Sequence, residues 1–342
     1  MRQALFSGPG QLRIEHADVP EPTGSDVRIR VEVCGICGSD RAIFVGNPPV
    51  STPIVLGHEY AGVVVARGPD VTTLQIGDRV VVDPNIVCGR CTFCRRGLVN
   101  LCSEITPLGI ALPGGFAEYS LVPKTNAYLV PDSVSFEEAA LVEPLSCCVR
   151  GIQQAGVQLG DVVVVLGAGP IGLLLAQLAR LRGASTVIVI EPDLQRRAIA
   201  ARLGADIQID GREPDAVREA VLTATQGVGA DVVIEASGRT SAAAGSLELV
   251  RRGGTIVWFG TCPQDDRVAV PQFWVNDREV SIRGANINPF TQQTALTLIE
   301  RGRIRVAELV SDEIGLDGLR AAIDPAEPTL RGKILVKPSK VT

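Results

Sequence analysis

Histidine is nearly absent from this chain: only His16 and His58 occur in 342 residues, so any imidazole chemistry falls on one of two side chains. Aromatic residues make up 4% of the sequence, too few for the stacked platforms on which single-stranded nucleic acids lie. No long basic run occurs, and 33 Lys and Arg against 38 Asp and Glu leave a net charge of −5. The electrostatic footprint of a nucleic-acid partner is therefore missing. Apolar runs are short, VVVVL at 162–166 and IGLLLAQLA at 171–179 being among the longest, and neither approaches the length of a bilayer span. The opening segment MRQALFSGPGQLRIE lacks the apolar stretch of a secretory signal, so the expected location is cytoplasmic, with no membrane partner. Internal repeats and low-complexity segments are absent as well.

What is present is 46% hydrophobic residues spread over a length that suits two domains. Residues 1–147 alternate short β-rich runs (DVRIRVEV, YAGVVVARG, GDRVVVDP, FAEYSLVP) with glycine and proline punctuation, the texture of an all-β domain. Within 148–285 the texture changes to strand and helix in turn: VVVVLGAG, PIGLLLAQLARLRG, STVIVIEP, LQRRAIAARLGAD, then ADVVIEASG, a helix SAAAGSLELVRR, GGTIVWFG and a last strand REVSIRGA. Such a βαβ series predicts a parallel sheet covered by helices, an α/β domain. Residues 286–342 are too few for a third core and are expected to fold back onto the first half.

Nine cysteines is an odd number, and six of them lie in two short motifs, which argues for metal rather than a disulfide frame. Cys88, Cys91, Cys94 and Cys102 crowd the polar segment CGRCTFCRRGLVNLC. Four thiolates suit a closed tetrahedral zinc site that holds a loop and leaves no position for a reactant, with an iron–sulfur cluster as the lesser alternative. A second, dispersed set comprises CGICGSD at 34–40, GHEYAG at 57–62 and VEPLS at 142–146. Cys37, His58 and Glu59 offer a thiolate, an imidazole and a carboxylate, a mixture that leaves zinc an open position, with Glu143 as a further acidic group. Glu59 and His58 sit inside the apolar VLGHEYAGVVV, where a carboxylate is costly unless paired or bound to metal. Cys34 and Cys37 also form a CxxC; a redox pair of that kind opens a helix, whereas here a strand runs into a glycine-rich turn. Cys147, Cys148 and Cys262 read as small packing residues.

The third motif is GAGPIG at 167–172, placed between a strand and a helix. There Gly167 permits the tight turn, Gly169 lets the backbone approach a pyrophosphate, and the helix opening at Pro170, Ile171 and Gly172 offers its N-terminus to the negative charge. Glu191 follows at the end of the next strand, where a carboxylate accepts from both ribose hydroxyls and repels a 2′-phosphate. That selects NAD over NADP, although Arg196 and Arg197 stand nearby and Glu191 could instead serve the following helix.

These residues together resemble the zinc-dependent medium-chain alcohol dehydrogenase family over essentially the whole chain. GHEYAGVVVARG fits its GHExxGxxxxxG pattern, CGRCTFCRRGLVNLC its structural zinc loop, and GAGPIG its nucleotide fold, in family order. The resemblance implies a GroES-like catalytic domain, a Rossmann doubly wound parallel sheet, a C-terminal return to the first domain, and an active site in the cleft between them. VCGICGSD with GHEYAG and VEPLS looks most like the sorbitol and polyol dehydrogenase branch. By that likeness Cys37, His58 and Glu59 become catalytic zinc ligands and Glu143 the glutamate beside the metal and its water. Ser39 becomes the hydroxyl that passes a proton from the alcohol. Ile171, Glu191 and Arg196 match cofactor contacts, and Phe259, Gly260, Thr261, Ala285 and Asn286 line the nicotinamide side.

The implied activity is oxidation of a secondary alcohol of a small polyol to a ketone, with hydride transfer to NAD, by a homotetramer. Ala42 stands where many relatives carry a relay histidine, and Ile287 and Asn288 where sorbitol enzymes place an arginine and a tyrosine on sugar hydroxyls. Threonine, vicinal diols and aldoses are the competing substrates within the family, and a non-catalytic zinc and NAD-binding protein the reading of another class. Threonine enzymes show threonine at the Ser39 position and aspartate at the Glu143 position, which favours a polyol here.

Overall fold

The computed structural model describes residues 1–326 and 332–340. It divides into two compact units: Met1–Pro144 with Gln292–Gly302 and the described residues from Val306 on, and Leu145–Thr291 with Arg303–Arg305. No helix among the described residues is long and apolar enough to cross a membrane.

The first unit is β-rich. Its main sheet has seven strands, with Asp26–Gly35 paired antiparallel to Glu59–Arg67, to Tyr119–Pro123 and to Lys333–Val336. In the run DVRIRVEV the residues Val27, Ile29, Val31 and Val33 are buried while Arg30 is exposed, the period-two alternation of a strand with one face on a core. That core gathers Phe6, Phe44, Leu56, Tyr60 and Phe116 with Leu316, Leu319 and Ile334 from the end of the chain. Register then places Glu59 opposite Gly35 and Tyr60 opposite Cys34.

The second unit carries a six-stranded parallel sheet: β1 (Val162–Leu166), β2 (Thr186–Ile190), β3 (Ile207–Ile209), β4 (Ala230–Glu235), β5 (Val250–Trp258) and β6 (Ser281–Gly284), in spatial order β3-β2-β1-β4-β5-β6. This is the doubly wound dinucleotide-binding order, whose reversal beside β1 creates a crevice at the strands' C-terminal ends. β1 is apolar throughout, and β2 after its first residue Thr186, because helices cover both faces of such a sheet. The helix Pro170–Arg182 begins with proline at its first position and ends at Gly183 in the left-handed region, the expected asymmetry of helix ends. Gly167 has φ of 102°, and a Cβ on Gly172 would lie 2.0 Å from the Gly167 carbonyl oxygen, so both positions demand glycine.

Two boundaries differ from the sequence reading. VRR at 250–252 opens β5 instead of ending a helix, because Val250 pairs with Ala230 and Arg251 donates to Asp231 at 2.6 Å. Arg278 closes the helix Gln272–Arg278 instead of starting a strand, and β6 begins only at Ser281. Leu174 is fully buried in the helix behind β1; Leu174→Ala should lower unfolding free energy by about 2–5 kcal/mol in denaturant titrations, and a loss under about 0.5 kcal/mol, the scale of a surface change, would contradict this packing.

Candidate active site

The dispersed set converges in the first unit. Cys37 Sγ, a His58 ring nitrogen and a Glu59 carboxylate oxygen lie within 4.8 Å of one another. Cys37 caps the short helix Gly38–Phe44, and its N–H donates to Asp40 Oδ2 at 2.8 Å. The turn expected after Cys37 is therefore a helix start, and the argument that set the redox reading aside does not hold. A better one replaces it: burial, with the charges of Asp40 and Glu59, pushes the Cys34 thiol well above its ordinary value, which suppresses the thiolate that exchange needs.

His58 is buried at the head of the strand that begins with Glu59. Its Nε2 lies 3.4 Å from Ser39 Oγ, and its Nδ1 lies 3.4 Å from Asp40 Oδ1. Neither Nδ1 nor Asp40 Oδ1 has a well-formed hydrogen bond. Burial opposes the imidazolium, but Asp40 and Cys37 outweigh it and raise the His58 pKa well above its ordinary value. A carboxylate behind one ring nitrogen leaves the other free to face a metal, which is how ligating histidines are usually oriented.

Glu59 is 1% exposed and accepts from Lys333 Nζ on both carboxylate oxygens, at 2.8 and 2.6 Å; Lys333 Nζ also donates to the Ile36 carbonyl at 3.0 Å. The pair fits because residue 35 is glycine: a Cβ there would stand 2.3 Å from Glu59 Oε2. Burial disfavours the Lys333 ammonium, yet the Glu59 charge more than compensates and its pKa is raised. Glu143, in the helix Val142–Ala155, stands outside the tight group of three but shares its field. Burial pushes its carboxyl up to about 7, His58 pulling it down and Glu59 and Asp83 pushing it further up.

Asp40, Asp83 and Lys333 were not singled out in the sequence. Asp40 is fully buried beside a glycine-rich turn, and Lys333 heads a buried KILV strand. The available signal for Lys333 was Glu59 itself, a carboxylate in an apolar run that requires a counter-charge.

The four cysteines also converge, their sulfurs within 4.8 Å of one another. Main-chain N–H groups of Cys91, Cys94 and Cys88 donate to the sulfurs of Cys88, Cys91 and Cys102 at 3.3–3.4 Å. Donors from Cys94 and Ser103 bring the Cys91 thiol down to about 5, while burial and the neighbouring sulfurs raise that of Cys94. Both donor sets fit zinc: four sulfurs for a closed site, and one sulfur, one nitrogen and one oxygen for an open one.

In the second unit Gly167 donates its N–H to Ile190 O at 2.8 Å, and the Ala168 N–H donates to Glu191 Oε2 at 2.8 Å. The other Glu191 oxygen accepts from Asp193 N–H at 3.0 Å. The cap of the following helix is Asp193, which accepts from Gln195 and Arg196 N–H, so Glu191 is not spent on that role. Arg196 Nη1 reaches to 4.0 Å of Glu191, whereas Arg197 is committed to the Glu191 and Pro192 carbonyls and to Asp210. Phe259 and Gly260 follow β5, with Thr261 next, and both their N–H groups donate to the Glu235 carbonyl oxygen. Ala285 and Asn286 follow β6. Asn288 is 2% exposed and donates to Ser146 Oγ at 2.8 Å, which makes it a tie within its own unit.

Residues 23–132 match the family described as alcohol dehydrogenase GroES-like domain, and residues 170–301 the family described as zinc-binding dehydrogenase. The chain is 34% identical to a sorbitol dehydrogenase of Bacillus subtilis over 95% of its own length and 93% of the relative's. It belongs to the zinc-dependent medium-chain alcohol dehydrogenase family. Among solved structures, a zinc-binding dehydrogenase from Sinorhizobium meliloti bound to NADP superposes with a TM-score of 0.94 at 38% identity, covering 98% of this chain and 99% of that one. An alcohol dehydrogenase from Escherichia coli CFT073 complexed with NADH gives 0.92 at 30% identity, with 98% and 99% covered.

Two outcomes follow for this dehydrogenase. Lys333→Met strands the Glu59 carboxylate in an apolar setting and should cost about 3–5 kcal/mol of stability; a denaturation midpoint equal to that of the parent would contradict the pairing. Because Asp40 and Cys37 raise the pKa of the metal-free imidazole, zinc uptake competes with a proton on His58. Indicator titration should show fewer protons released on zinc uptake by His58→Gln than by the parent, and equal release would remove His58 from the ligand set.

Proposed function

We propose that the protein oxidises a secondary alcohol group of a small polyol to a ketone, with NAD as hydride acceptor. The observation that carries this reading is the convergence of Cys37, His58 and Glu59, with Ser39 Oγ 3.4 Å from the imidazole. When bound, zinc supplies Lewis acidity to a substrate hydroxyl and NAD supplies the acceptor for its hydride.

The chain's own residues do the rest. Cys37, His58 and Glu59 would hold the metal, Asp40 stands behind the ring of His58, and Lys333 gives Glu59 a counter-charge in an apolar environment. Glu59 reaches a metal only by sharing its carboxylate with Lys333 Nζ, so the ammonium tempers its strength as a ligand. Ser39, half-buried beside His58, accepts the hydroxyl proton and passes it on. No imidazole stands at position 42 to receive it, since that residue is Ala42. Glu143, whose carboxyl burial pushes up to about 7, would exchange a proton near neutral pH beside the metal. Cys88, Cys91, Cys94 and Cys102 hold a second zinc that fixes their loop.

In the second unit Gly167, Gly169, Pro170, Ile171 and Gly172 form the turn and helix opening for the pyrophosphate. Glu191 and Arg196 flank the adenosine ribose, and Phe259, Gly260, Thr261, Ala285 and Asn286 line the nicotinamide. The Glu191 carboxylate, anchored by two main-chain donors, is a fixed negative charge where NADP carries its extra phosphate, and that supports NAD. The homotetramer follows from the family resemblance.

A panel of pentitols, hexitols, diols, aldoses and threonine, run with NAD and with NADP and followed at about 340 nm by the absorbance of the reduced cofactor, tests the reading. One polyol with NAD should give the highest kcat/KM, and Ser39→Ala should lower it by about 10²–10⁴-fold. Threonine outperforming every polyol, or turnover with NADP alone, would overturn the assignment.

A further inference from the structure

Glu235 is a fully buried carboxylate that the proposed mechanism does not use. It ends β4 at the C-terminal edge of the parallel sheet, beside β1 and β5, and the next residue, Ala236, donates its N–H to the last carbonyl of β1. Its side chain turns back on the chain that follows. Oε1 accepts from Ser237 N–H at 2.7 Å, from Ser237 Oγ–H and from Gly238 N–H at 3.0 Å. Oε2 has no donor among the described residues and lies beside Gly260.

The loop held in this way supports a second one. A Cβ on Gly260 would come within 2.3 Å of Gly238 N and 2.6 Å of Glu235 Oε2, and one on Gly238 within 3.0 Å of the Thr261 carbonyl oxygen. The segment 259–261 is thus seated on residue 235 twice, through the N–H groups of Phe259 and Gly260 on its carbonyl and through the turn its carboxylate fixes. The glycine turn after β1 touches the same loop, since Gly167 lies against Ser237, but it has anchors of its own on Ile190 and Glu191. Removing the Glu235 carboxylate would leave three donors without their acceptor and loosen 259–261 while the glycine turn stays tied.

We propose that Glu235 is a positioning residue that sets the nicotinamide-side loop, acting as a hydrogen-bond acceptor and not through its charge. The inference rests on the reading that residues 259–261 line the nicotinamide. Its chemistry separates the conservative variant from the disruptive one. In Glu235→Gln the amide oxygen takes the place of Oε1 and keeps all three donors, and the NH2 group takes the place of Oε2, where no donor now stands. In Glu235→Ala the acceptor is lost. Ser237→Ala removes only the hydroxyl donor.

Dissociation constants for NADH and for ADP-ribose, which lacks the nicotinamide, would be measured by calorimetry on the zinc-loaded full chain, each variant first confirmed folded by circular dichroism. Glu235→Ala should weaken NADH by about tenfold and ADP-ribose by less than about twofold, Ser237→Ala should weaken NADH by about threefold, and Glu235→Gln should match the parent on both. Equal weakening of both ligands, no weakening by Glu235→Ala, or a tenfold loss in Glu235→Gln would overturn the proposal. If Glu235→Ala does not fold, the NADH-selective loss in Ser237→Ala decides, and its absence counts against the role. A parent chain that binds ADP-ribose but gains nothing from the nicotinamide would instead overturn the assignment of 259–261.

Discussion

The ion pair of Lys333 with Glu59 is the constraint around which the first unit is arranged. Two unit charges buried together are tolerated only with close geometry and with their remaining hydrogen-bonding capacity satisfied. Both carboxylate oxygens meet Nζ, the Ile36 carbonyl takes a third contact, and the absence of a side chain at Gly35 opens the space. The strand that delivers Lys333 comes from the far end of the sequence and inserts beside Asp26–Gly35. The first unit is therefore completed only after the whole parallel-sheet unit has been synthesised.

The same economy of charge distinguishes the two clusters proposed to hold metal. The four cysteine sulfurs are set up by main-chain donors of their own loop, a local device needing nothing from the rest of the fold. The mixed set is assembled from distant segments, with Asp40 behind His58, Lys333 behind Glu59, and Glu143 pushed up to about 7 mainly by its own burial. Sulfur-only coordination fills every position, whereas three mixed ligands leave room for a reactant. The elaborate electrostatics accordingly surround the open set.

Spacing explains what the sequence made legible. Cys88 to Cys102 and GAGPIG are local patterns whose geometry is set by neighbouring backbone, and Glu191 falls at a strand end that hydrophobic runs already mark. The six parallel strands were readable because buried β-branched runs alternate with helical ones, while the start of β5 was missed because the arginines of VRR carry no strand signal and depend on Asp231 across the sheet. Lys333, Asp40 and Glu235 stayed hidden for a common reason. A charged residue looks exposed until its partner is known, and the partners lie 274 positions away for Lys333, across a turn for Asp40, and in the main chain just ahead for Glu235.

On the proposed reading, one chain builds both an open and a closed zinc site from these two clusters. Zinc content by mass spectrometry of the intact parent, His58→Ala and Cys91→Ala proteins tests it most directly. About two zinc ions per chain are expected in the parent and about one in each variant. A His58→Ala protein that still carried about two zinc ions would contradict it.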